Sequence, residues 1–395
     1  MKDIVIIGAG YGGLRALEYL AKEKNFKITL IDKNPYHYMQ TEAYGYIAGR
    51  FDISDIAIDL DSFVKGLGDN VSFIKDKAIK IDKEKQILTL ENQTIAFDYA
   101  IIAVGAQTNF FSFIKGAKEY THGVKNIQRA FEFRQAFEKR LYLKLEEKKL
   151  HRNGDLHIAI AGAGLSGVEI AAEMAHTLKK YEKILSKESI TLKISLIDAA
   201  KTILPGMDSY IINKTEQRLK NLGIQIYTNA FIQEIKERSI YFKDGTKVDF
   251  DFIIYTAGIK AAKFIQEIQT EKNNIEQIIP DEYLHLQGSE NIFCIGDCTQ
   301  IKSQEKLLPP TAQTAEKSAQ YVAKAIIAKT KNKSYPIFKA KIDGYFVALG
   351  GNYAIGMLYE KIKVEGYLAY LLKKLITRVY RHGLEIKVNA GYKKR

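Results

Sequence analysis

One pattern of apolar and glycine residues occurs twice in this 395-residue chain, and it constrains the fold more than any other feature. Its first copy starts with the apolar run 4–7 and continues through Gly8, Gly10 and Gly13. Leucines at helical spacing follow, and a second apolar run ends on Asp32. Uninterrupted β-branched runs are typical of strands buried on both faces of a parallel sheet. The segment therefore predicts a strand, a tight turn, a helix and a second strand.

The three glycines of this pattern have separate physical roles. Gly8 permits the tight turn, Gly10 lets a pyrophosphate approach the backbone, and Gly13 lets helix and strand pack closely. The helix N-terminus presents unpaired N–H groups and a partial positive charge to phosphates. Asp32 lies 19 residues after Gly13, where it can accept hydrogen bonds from an adenosine ribose. Glycine turns alone are common, but strand, helix and acid together predict a dinucleotide site.

The second copy begins with the apolar run 156–161 and continues through Gly162, Gly164 and Gly167. A helical pattern follows, and a strand then ends on Asp198. An acid at this place accepts ribose hydroxyls and repels a 2′-phosphate, which favours NADH over NADPH.

One later strand pattern also occurs twice. Segments 97–106 and 250–258 read FDYAIIAVGA and FDFIIYTAG, and segment 291–298 is a further strand that ends in Gly-Asp. Because the whole series repeats, we expect an α/β fold with two Rossmann-like domains. The strands 345–349 and 353–358 predict a hairpin in a small C-terminal region.

The cysteines exclude several kinds of site. Cys294 and Cys298 are the only two, too few for a disulfide framework or for a self-contained zinc or iron–sulfur site, so no metal site is expected. The chain starts directly on a strand, which predicts no signal peptide. No apolar run has the length needed to cross a bilayer.

Basic residues are concentrated at the end of the chain. The net charge is +13, and segment 361–395 holds ten Lys or Arg against two Glu. Within it, 364–382 is predicted to be an amphipathic helix whose apolar face comprises Val364, Leu368, Leu371, Leu372, Leu375, Ile376 and Val379. Its cations Lys373, Lys374, Arg378 and Arg381 project elsewhere. The pattern is typical of a helix on an anionic membrane surface, and the alternative is a helix packed on the body. No motif suggests nucleic-acid binding.

Taken together, these motifs resemble the type II NADH dehydrogenase family, the single-subunit NADH:quinone oxidoreductases among flavoproteins with two dinucleotide-binding domains. The resemblance covers roughly residues 1–385. It rests on GAGYGG with Asp32, AVGA ending at 106, GAGLSGVE at 162–169, TAGIK at 256–260, IFCIGDC at 292–298 and PPTAQTA at 309–315.

This resemblance implies that the first fingerprint binds FAD and the second binds NADH. The FAD domain would comprise residues 1–120 and 285–335, and the NADH domain residues 121–284. Residues 336–395 would form a C-terminal membrane-association region.

The resemblance also implies the cofactor-binding residues. For FAD these are Gly8, Gly10, Gly12, Gly13, Asp32, Lys33, Ala103, Gly105, Gly296, Asp297, Thr311 and Ala312. For NADH they are Gly162, Gly164, Gly167, Asp198, Ala257 and Gly258. Asp297 would bind the ribityl chain. Segment 309–313 would place a helix N-terminus beside the isoalloxazine ring, where the helix dipole stabilises the anionic reduced flavin.

Three residues would carry catalysis by the same resemblance. Glu169 would lie near the nicotinamide–flavin contact, although an acid in a first helical turn also simply complements the dipole. Gln313 and Lys317 would lie at the quinone. The family pattern A-Q-x-A-x-Q has a second glutamine where this chain has Lys317, which could bind a quinone carbonyl or form an ion pair.

The expected enzyme passes hydride from NADH to FAD and then electrons to a membrane quinone, without proton pumping. It would be peripheral on the cytoplasmic side of the inner membrane, with a homodimer as a further expectation. One alternative is an FAD-dependent reductase of another acceptor. A sulfide:quinone oxidoreductase-like enzyme is disfavoured, because such enzymes need cysteines in other parts of the chain. The non-enzymatic alternative is a redox sensor that binds NADH and FAD.

Overall fold

The computed structural model describes residues 1–149, 156–185 and 192–393. Its first elements, in chain order, are β1 (Lys2–Ile7), α1 (Tyr11–Leu20), β2 (Phe26–Asp32), β3 (Tyr36–Tyr38), α2 (Ala43–Ile47), α3 (Ile53–Ile56), β4 (Ala57–Asp59), α4 (Leu60–Leu67), β5 (Val71–Lys75), β6 (Ala78–Asp82), β7 (Ile87–Leu90), β8 (Thr94–Ala96), β9 (Tyr99–Ile102), β10 (Ala106–Thr108) and β11 (His122–Gly123).

The elements that follow are α5 (Ile127–Lys149), β12 (Leu156–Ala161), α6 (Leu165–Leu185), β13 (Leu192–Ile197), α7 (Ser209–Asn221), β14 (Gln225–Tyr227), β15 (Ile232–Lys236), β16 (Ser239–Phe242), β17 (Lys247–Asp249), β18 (Phe252–Tyr255), β19 (Ile259–Ala261), β20 (Ile292–Cys294), β21 (Lys302–Ser303), β22 (Lys306–Leu307), α8 (Ala312–Thr330), β23 (Gly344–Ala348), β24 (Ala354–Leu358), β25 (Ile362–Gly366) and α9 (Tyr367–Tyr392).

The first half of the repeat forms a parallel sheet with the strand order β20-β9-β1-β2-β5. Ile6 in the central strand β1 lies opposite Leu30 of β2 and Ile101 of β9, and all three are fully buried. These are the apolar runs that the sequence pattern assigned to a doubly covered sheet. The late strand β20 completes the edge beside β9, and α8 packs against α1.

The second half forms an equivalent parallel sheet with the order β11-β18-β12-β13-β14. β12, β13 and β18 take the places that β1, β2 and β9 have in the first sheet. Each sheet is accompanied by a three-stranded antiparallel sheet, β6-β7-β8 in one case and β15-β16-β17 in the other. The predicted α/β fold with two Rossmann-like units is therefore confirmed.

The C-terminal region differs from the prediction in two respects. The predicted hairpin is present as β23 and β24, but β25 adds a third antiparallel strand that pairs Val364 with Gly356. Val364 therefore lies in a strand, so its assignment to the helix was wrong. The helix begins only at Tyr367, after Gly366 with φ +77°, and continues to Tyr392. A glycine in the left-handed region separates strand from helix here, because such a φ is unfavourable for other residues.

Two glycines fix how α9 lies on the body. A Cβ atom added to Gly66 of α4 would lie 1.9 Å from the carbonyl oxygen of Lys387, and one added to Gly391 would lie 1.8 Å from that of Ser62. α4 and α9 therefore touch backbone to backbone, which only residues without a side chain allow. This contact sets the rotation of α9 about its own axis, and hence which of its faces is exposed.

Candidate functional site

The first glycine turn has the geometry that the sequence predicted. Gly8 has φ +105°, and a Cβ atom there would lie 2.4 Å from the carbonyl oxygen of Ala103. A Cβ atom on Gly13 would lie 1.8 Å from the carbonyl oxygen of Gly8, whereas one on Gly10 would meet nothing within 4 Å. The turn thus packs tightly against the protein at Gly8 and Gly13, whereas the space beside Gly10 is free for a ligand. Among the residues that the structure describes, no side chain caps the N-terminus of α1, so its first amides are available to a phosphate.

Asp32 has a structural role that the sequence did not reveal. Its Oδ2 accepts a hydrogen bond from the Ala9 amide at 2.8 Å, and its Oδ1 accepts one from the Asn34 amide at 2.8 Å. Burial raises the pKa of Asp32. Because each carboxylate oxygen has two lone pairs, Asp32 can hold the glycine turn and still accept a ribose hydroxyl. Lys33 beside it is exposed.

The second glycine turn repeats this arrangement. Gly162 has φ +112°, a Cβ atom on Gly167 would lie 1.9 Å from the Gly162 carbonyl oxygen, and Gly164 has open space. Asp198 accepts hydrogen bonds from the amides of Ala163 at 2.6 Å and Ala200 at 2.8 Å. The chain therefore builds two cradles of one design, and we refer to them as the first and second cradle.

The remaining residues predicted to bind FAD gather at the carboxyl end of the first sheet. Ala103 and Gly105 follow β9, and Gly296 and Asp297 lie in a 3₁₀ turn directly after β20. Asp297 Oδ2 is 3.7 Å from the ammonium group of Lys125.

The N-terminus of α8 lies against this turn. A Cβ atom added to Gly296 would lie 3.4 Å from the Cβ atom of Ala315. Thr311 caps the helix, with its hydroxyl oxygen accepting from the Thr314 amide at 3.3 Å, and Ala312 is the first helical residue. Ligands of open α/β sheets bind at this end of the strands, so the residues present fit a dinucleotide cofactor.

The two cradles are joined by a short ladder. β10 follows Gly105 of the first cradle, and β19 follows Gly258 of the second, and these two strands pair antiparallel. The Ala262 amide donates to the Gly105 carbonyl at 3.1 Å, and the Asn109 amide donates to the Gly258 carbonyl at 3.2 Å. Gly258, with φ +101°, and Ala257 before it follow β18. The ends of the two cradles are therefore adjacent.

Glu169 lies in the first turns of α6 and is buried. Its Oε1 accepts hydrogen bonds from the Ala348 amide and from the Lys373 ammonium group, both at 2.9 Å. Lys373, which the sequence analysis placed among the cations that project away from the apolar face, is largely buried, because its side chain is only 14% exposed. Burial acts to lower the pKa of Lys373, but the carboxylates of Glu169 and Glu42 hold it above its usual value.

Glu42 completes this group from the first half of the chain. One of its oxygens accepts from the Thr377 hydroxyl of α9 at 3.0 Å, and burial raises the pKa of its carboxyl. The ring of Tyr44 lies beneath the Lys373 ammonium at 5.2 Å. We call Glu42, Glu169 and Lys373 the buried charge cluster. The sequence motifs pointed to Glu169 alone, and no local signal marked the other two.

Gln313 and Lys317, predicted at the quinone, are engaged by the segment before β23. Lys317 pairs with the carboxylate of Asp343 at 2.7 Å and also donates to the carbonyl of Lys341. The Asp343 amide donates to Gln313 Oε1 at 2.9 Å. Of the two alternatives for Lys317, the structure contains the ion pair. A catalytic role for either residue stays a prediction.

The two cysteines are buried as free thiols. Burial raises the pKa of Cys298 to about 11 and raises that of Cys294 as well. Both are therefore protonated and shielded at neutral pH, which leaves neither suited to thiol exchange. Within the parts of the chain that the structure describes, no cluster of His, Cys, Asp or Glu could hold a metal ion.

The outer face of α9 carries an exposed apolar row. Leu368, Leu371, Leu375, Ile376 and Val379 are between 42% and 66% exposed. Leu372, predicted on the same face, is half-buried. Lys374 and Arg378 are exposed beside the row, whereas Arg381 pairs with Asp55 at 2.7 Å. Across the described ranges, no helix combines the length and hydrophobicity required to span a bilayer.

Known proteins are similar to this chain over nearly its full length. A protein-family model described as pyridine nucleotide-disulphide oxidoreductase matches residues 2–319. A type II NADH:quinone oxidoreductase of Haemophilus influenzae is 28% identical, covering 99% of this chain and 96% of the relative. A NADH dehydrogenase-like protein of Bacillus subtilis is 30% identical, covering 97% of this chain and 99% of the relative.

Two solved structures have the same fold. NDH2 from Plasmodium falciparum in complex with NADH has a TM-score of 0.85 at 22% identity, covering 99% of this chain and 96% of that one. The sulfide:quinone oxidoreductase of Aquifex aeolicus has a TM-score of 0.82 at 20% identity, covering 98% of this chain and 92% of that one.

Proposed function

Because the chain belongs to the pyridine nucleotide-disulphide oxidoreductase family, we propose that it is an FAD-dependent NADH:quinone oxidoreductase. The relatives named above carry that activity, or NADH dehydrogenase, in their names and match the chain over nearly its full length. The observation that carries the proposal is the ladder between β10 and β19, because it brings the ends of two equivalent nucleotide cradles together. An enzyme that transfers hydride from one dinucleotide to another must hold the two dinucleotides close together.

FAD and NADH, when bound, supply the hydride and electron chemistry. The protein contributes binding and orientation. Each glycine turn presents open backbone at Gly10 or Gly164, and Asp32 and Asp198 hold these turns in place. No redox dithiol is needed in this scheme, which agrees with the burial of both cysteines.

Reduction of a quinone to a quinol consumes two protons, and we assign their delivery to Glu42 of the buried charge cluster. Burial raises the pKa of the Glu42 carboxyl, which brings it closer to the pH at which the enzyme works. Lys373 keeps its charge instead of donating a proton, because the carboxylates of Glu169 and Glu42 hold its pKa above the usual value. A carboxyl with a raised pKa in a buried site is suited to acid–base work.

We further propose that the exposed apolar row of α9 lies on an anionic membrane surface. A large apolar side chain contributes about 1.5–3 kcal/mol when fully buried, and each cation near an anionic leaflet adds about 1 kcal/mol. The row, together with Lys374 and Arg378, supplies enough for reversible binding. This attachment would be peripheral, on the cytoplasmic side of the inner membrane, and would give access to a lipid-soluble acceptor. The homodimer stays a prediction.

The test is a matrix of donors and acceptors on the purified, FAD-loaded protein. NADH, NADPH and sulfide serve as donors, and a short-chain quinone and a small electron-transfer protein serve as acceptors. We expect rapid reduction of the flavin by NADH and rapid reoxidation by the quinone, with little reduction by NADPH. Reoxidation by the protein acceptor but not by quinone would overturn the proposal, and slow turnover with every acceptor would favour a redox sensor.

A further inference from the structure

A chain of hydrogen bonds connects the last helix to the first cradle. The His37 side chain in β3 is almost completely buried, and its Nδ1 lies 2.9 Å from the carbonyl oxygen of Ala9, inside the glycine turn. Its Nε2 lies 3.0 Å from the hydroxyl of Tyr380 in α9. The mechanism proposed above uses neither side chain.

The hydrogen bonds determine the protonation of His37. A carbonyl oxygen only accepts, so Nδ1 carries the hydrogen and donates to Ala9. Burial lowers the pKa of His37 to about 4, so the ring is neutral at physiological pH. Nε2 is then an acceptor, and the Tyr380 hydroxyl must donate to it. Tyr380 thus donates to His37, and His37 donates to Ala9, so both hydrogen bonds run from α9 towards the glycine turn.

The backbone of Ala9 is consequently held through both of its polar groups, which belong to the two peptide groups that flank its Cα atom. Its amide donates to Asp32 and its carbonyl accepts from His37, so the orientation of the turn between Gly8 and Gly10 is fixed from two sides. Orientation matters at this point, because the turn aims backbone N–H groups at a pyrophosphate.

The glycine turn of the second cradle is held by a local contact instead. Its equivalent residue, Ala163, also donates its amide to an aspartate, but its carbonyl accepts from the backbone amide of Leu204 at 2.8 Å. A local loop thus does for the second cradle what His37 does for the first. NADH binding at the second cradle is therefore the comparison for the loss of the Tyr380 hydroxyl, which leaves the contact of α9 with α6 through Lys373 and Glu169 in place.

Further contacts seat α9 on the helix of the first cradle. The Tyr380 ring lies 5.0 Å from the ring of Tyr11, which is the first residue of α1. Farther along, Lys387 of α9 pairs with Glu18 of α1 at 2.6 Å. Displacement of α9 would therefore release the glycine turn and its helix together.

We propose that His37 and Tyr380 are positioning residues through which α9 holds the first cradle in its FAD-binding geometry. The proposal rests on the proposed function, since it takes FAD as the occupant of the first cradle. Coupling between two binding events is reciprocal, so bound FAD also stabilises the seating of α9. Seating of α9 on the body and retention of FAD are then two parts of one equilibrium.

The first experiment measures FAD release from the full-length holoprotein by the recovery of flavin fluorescence on dilution. Tyr380→Phe removes the hydroxyl and keeps the ring. We expect about ten-fold weaker FAD binding, the effect of one lost hydrogen bond to a buried group, with NADH binding unchanged. Tyr142→Phe, at an exposed tyrosine of α5, is the matched control and should retain FAD like the natural chain.

A second variant tests whether the two residues act in series. In His37→Asn the amide nitrogen can take the place of Nδ1 and donate to Ala9, but it cannot reach Tyr380. We expect the double variant His37→Asn, Tyr380→Phe to release FAD no faster than the more affected single variant. If the two substitutions instead multiply each other's effect on the rate of FAD release, His37 and Tyr380 do not act in series and the proposal is overturned.

The reciprocal readout is hydrogen exchange of segment 373–391 with and without FAD. FAD should slow exchange there in the natural chain, and Tyr380→Phe should abolish that difference even where the variant folds normally. Retention of FAD within two-fold by Tyr380→Phe, or exchange in α9 that ignores FAD, would overturn this inference alone. Failure of the natural chain to bind FAD would instead overturn the proposed function.

Discussion

Removal of the Lys373 charge tests whether the buried charge cluster stabilises the folded protein. Lys373→Met keeps most of the side-chain volume and leaves Glu169 and Glu42 buried without their cation. The Lys373 and Glu169 side chains are 14% and 12% exposed, and their charged atoms are 2.9 Å apart. Breaking a buried pair by removing one partner typically costs about 3–5 kcal/mol. Because slight exposure permits some hydration, we expect a loss of about 3 kcal/mol.

The assay is urea-induced unfolding of the FAD-loaded protein at pH 7, followed by far-ultraviolet circular dichroism. The matched control is Lys306→Met, which removes an exposed cation from its pair with Glu360 and should change the unfolding free energy by about 0.5 kcal/mol or less. Glu169→Gln combined with Lys373→Met should restore part of the loss, since it removes the uncompensated carboxylate. A loss below about 1 kcal/mol for Lys373→Met would refute the reasoning, because an exposed pair behaves in that way.

Three further predictions concern His37, the exposed apolar row of α9 and Gly391. Because the pKa of His37 is about 4 in the folded protein and about 6.5 in the unfolded chain, the unfolded chain binds the proton first. The free energy of unfolding should therefore fall by up to about 3 kcal/mol between pH 6.5 and 4, and titration of His37→Asn should show a smaller fall. The double substitution Leu375→Ser, Val379→Ser should lower the affinity for anionic vesicles, measured by co-sedimentation, at least ten-fold without a change in the melting temperature. Gly391→Val should lower the unfolding free energy by about 3 kcal/mol or more, since its Cβ would lie 1.8 Å from the Ser62 carbonyl oxygen; a normal urea midpoint would contradict the backbone contact.

The sequence by itself determined both nucleotide cradles. The steric roles of Gly8 and Gly13, and those of Gly162 and Gly167, follow from the chain within a few tens of residues. Strand periodicity, the positive φ of the first glycine and the contact between helix and turn are local properties. The α/β fold and the repeat of the whole unit could therefore be predicted without coordinates.

Only the tertiary structure decided which side chains meet between these units. The pairs Glu169–Lys373 and His37–Tyr380 join residues 204 and 343 positions apart, and no periodicity encodes such contacts. The apolar row of α9 was visible in the sequence, but its exposure was not, because amphipathic spacing says only that one face differs from the other. The backbone contact of Gly391 with α4 turns that row outward and places Lys373 inside, where its charge meets two carboxylates.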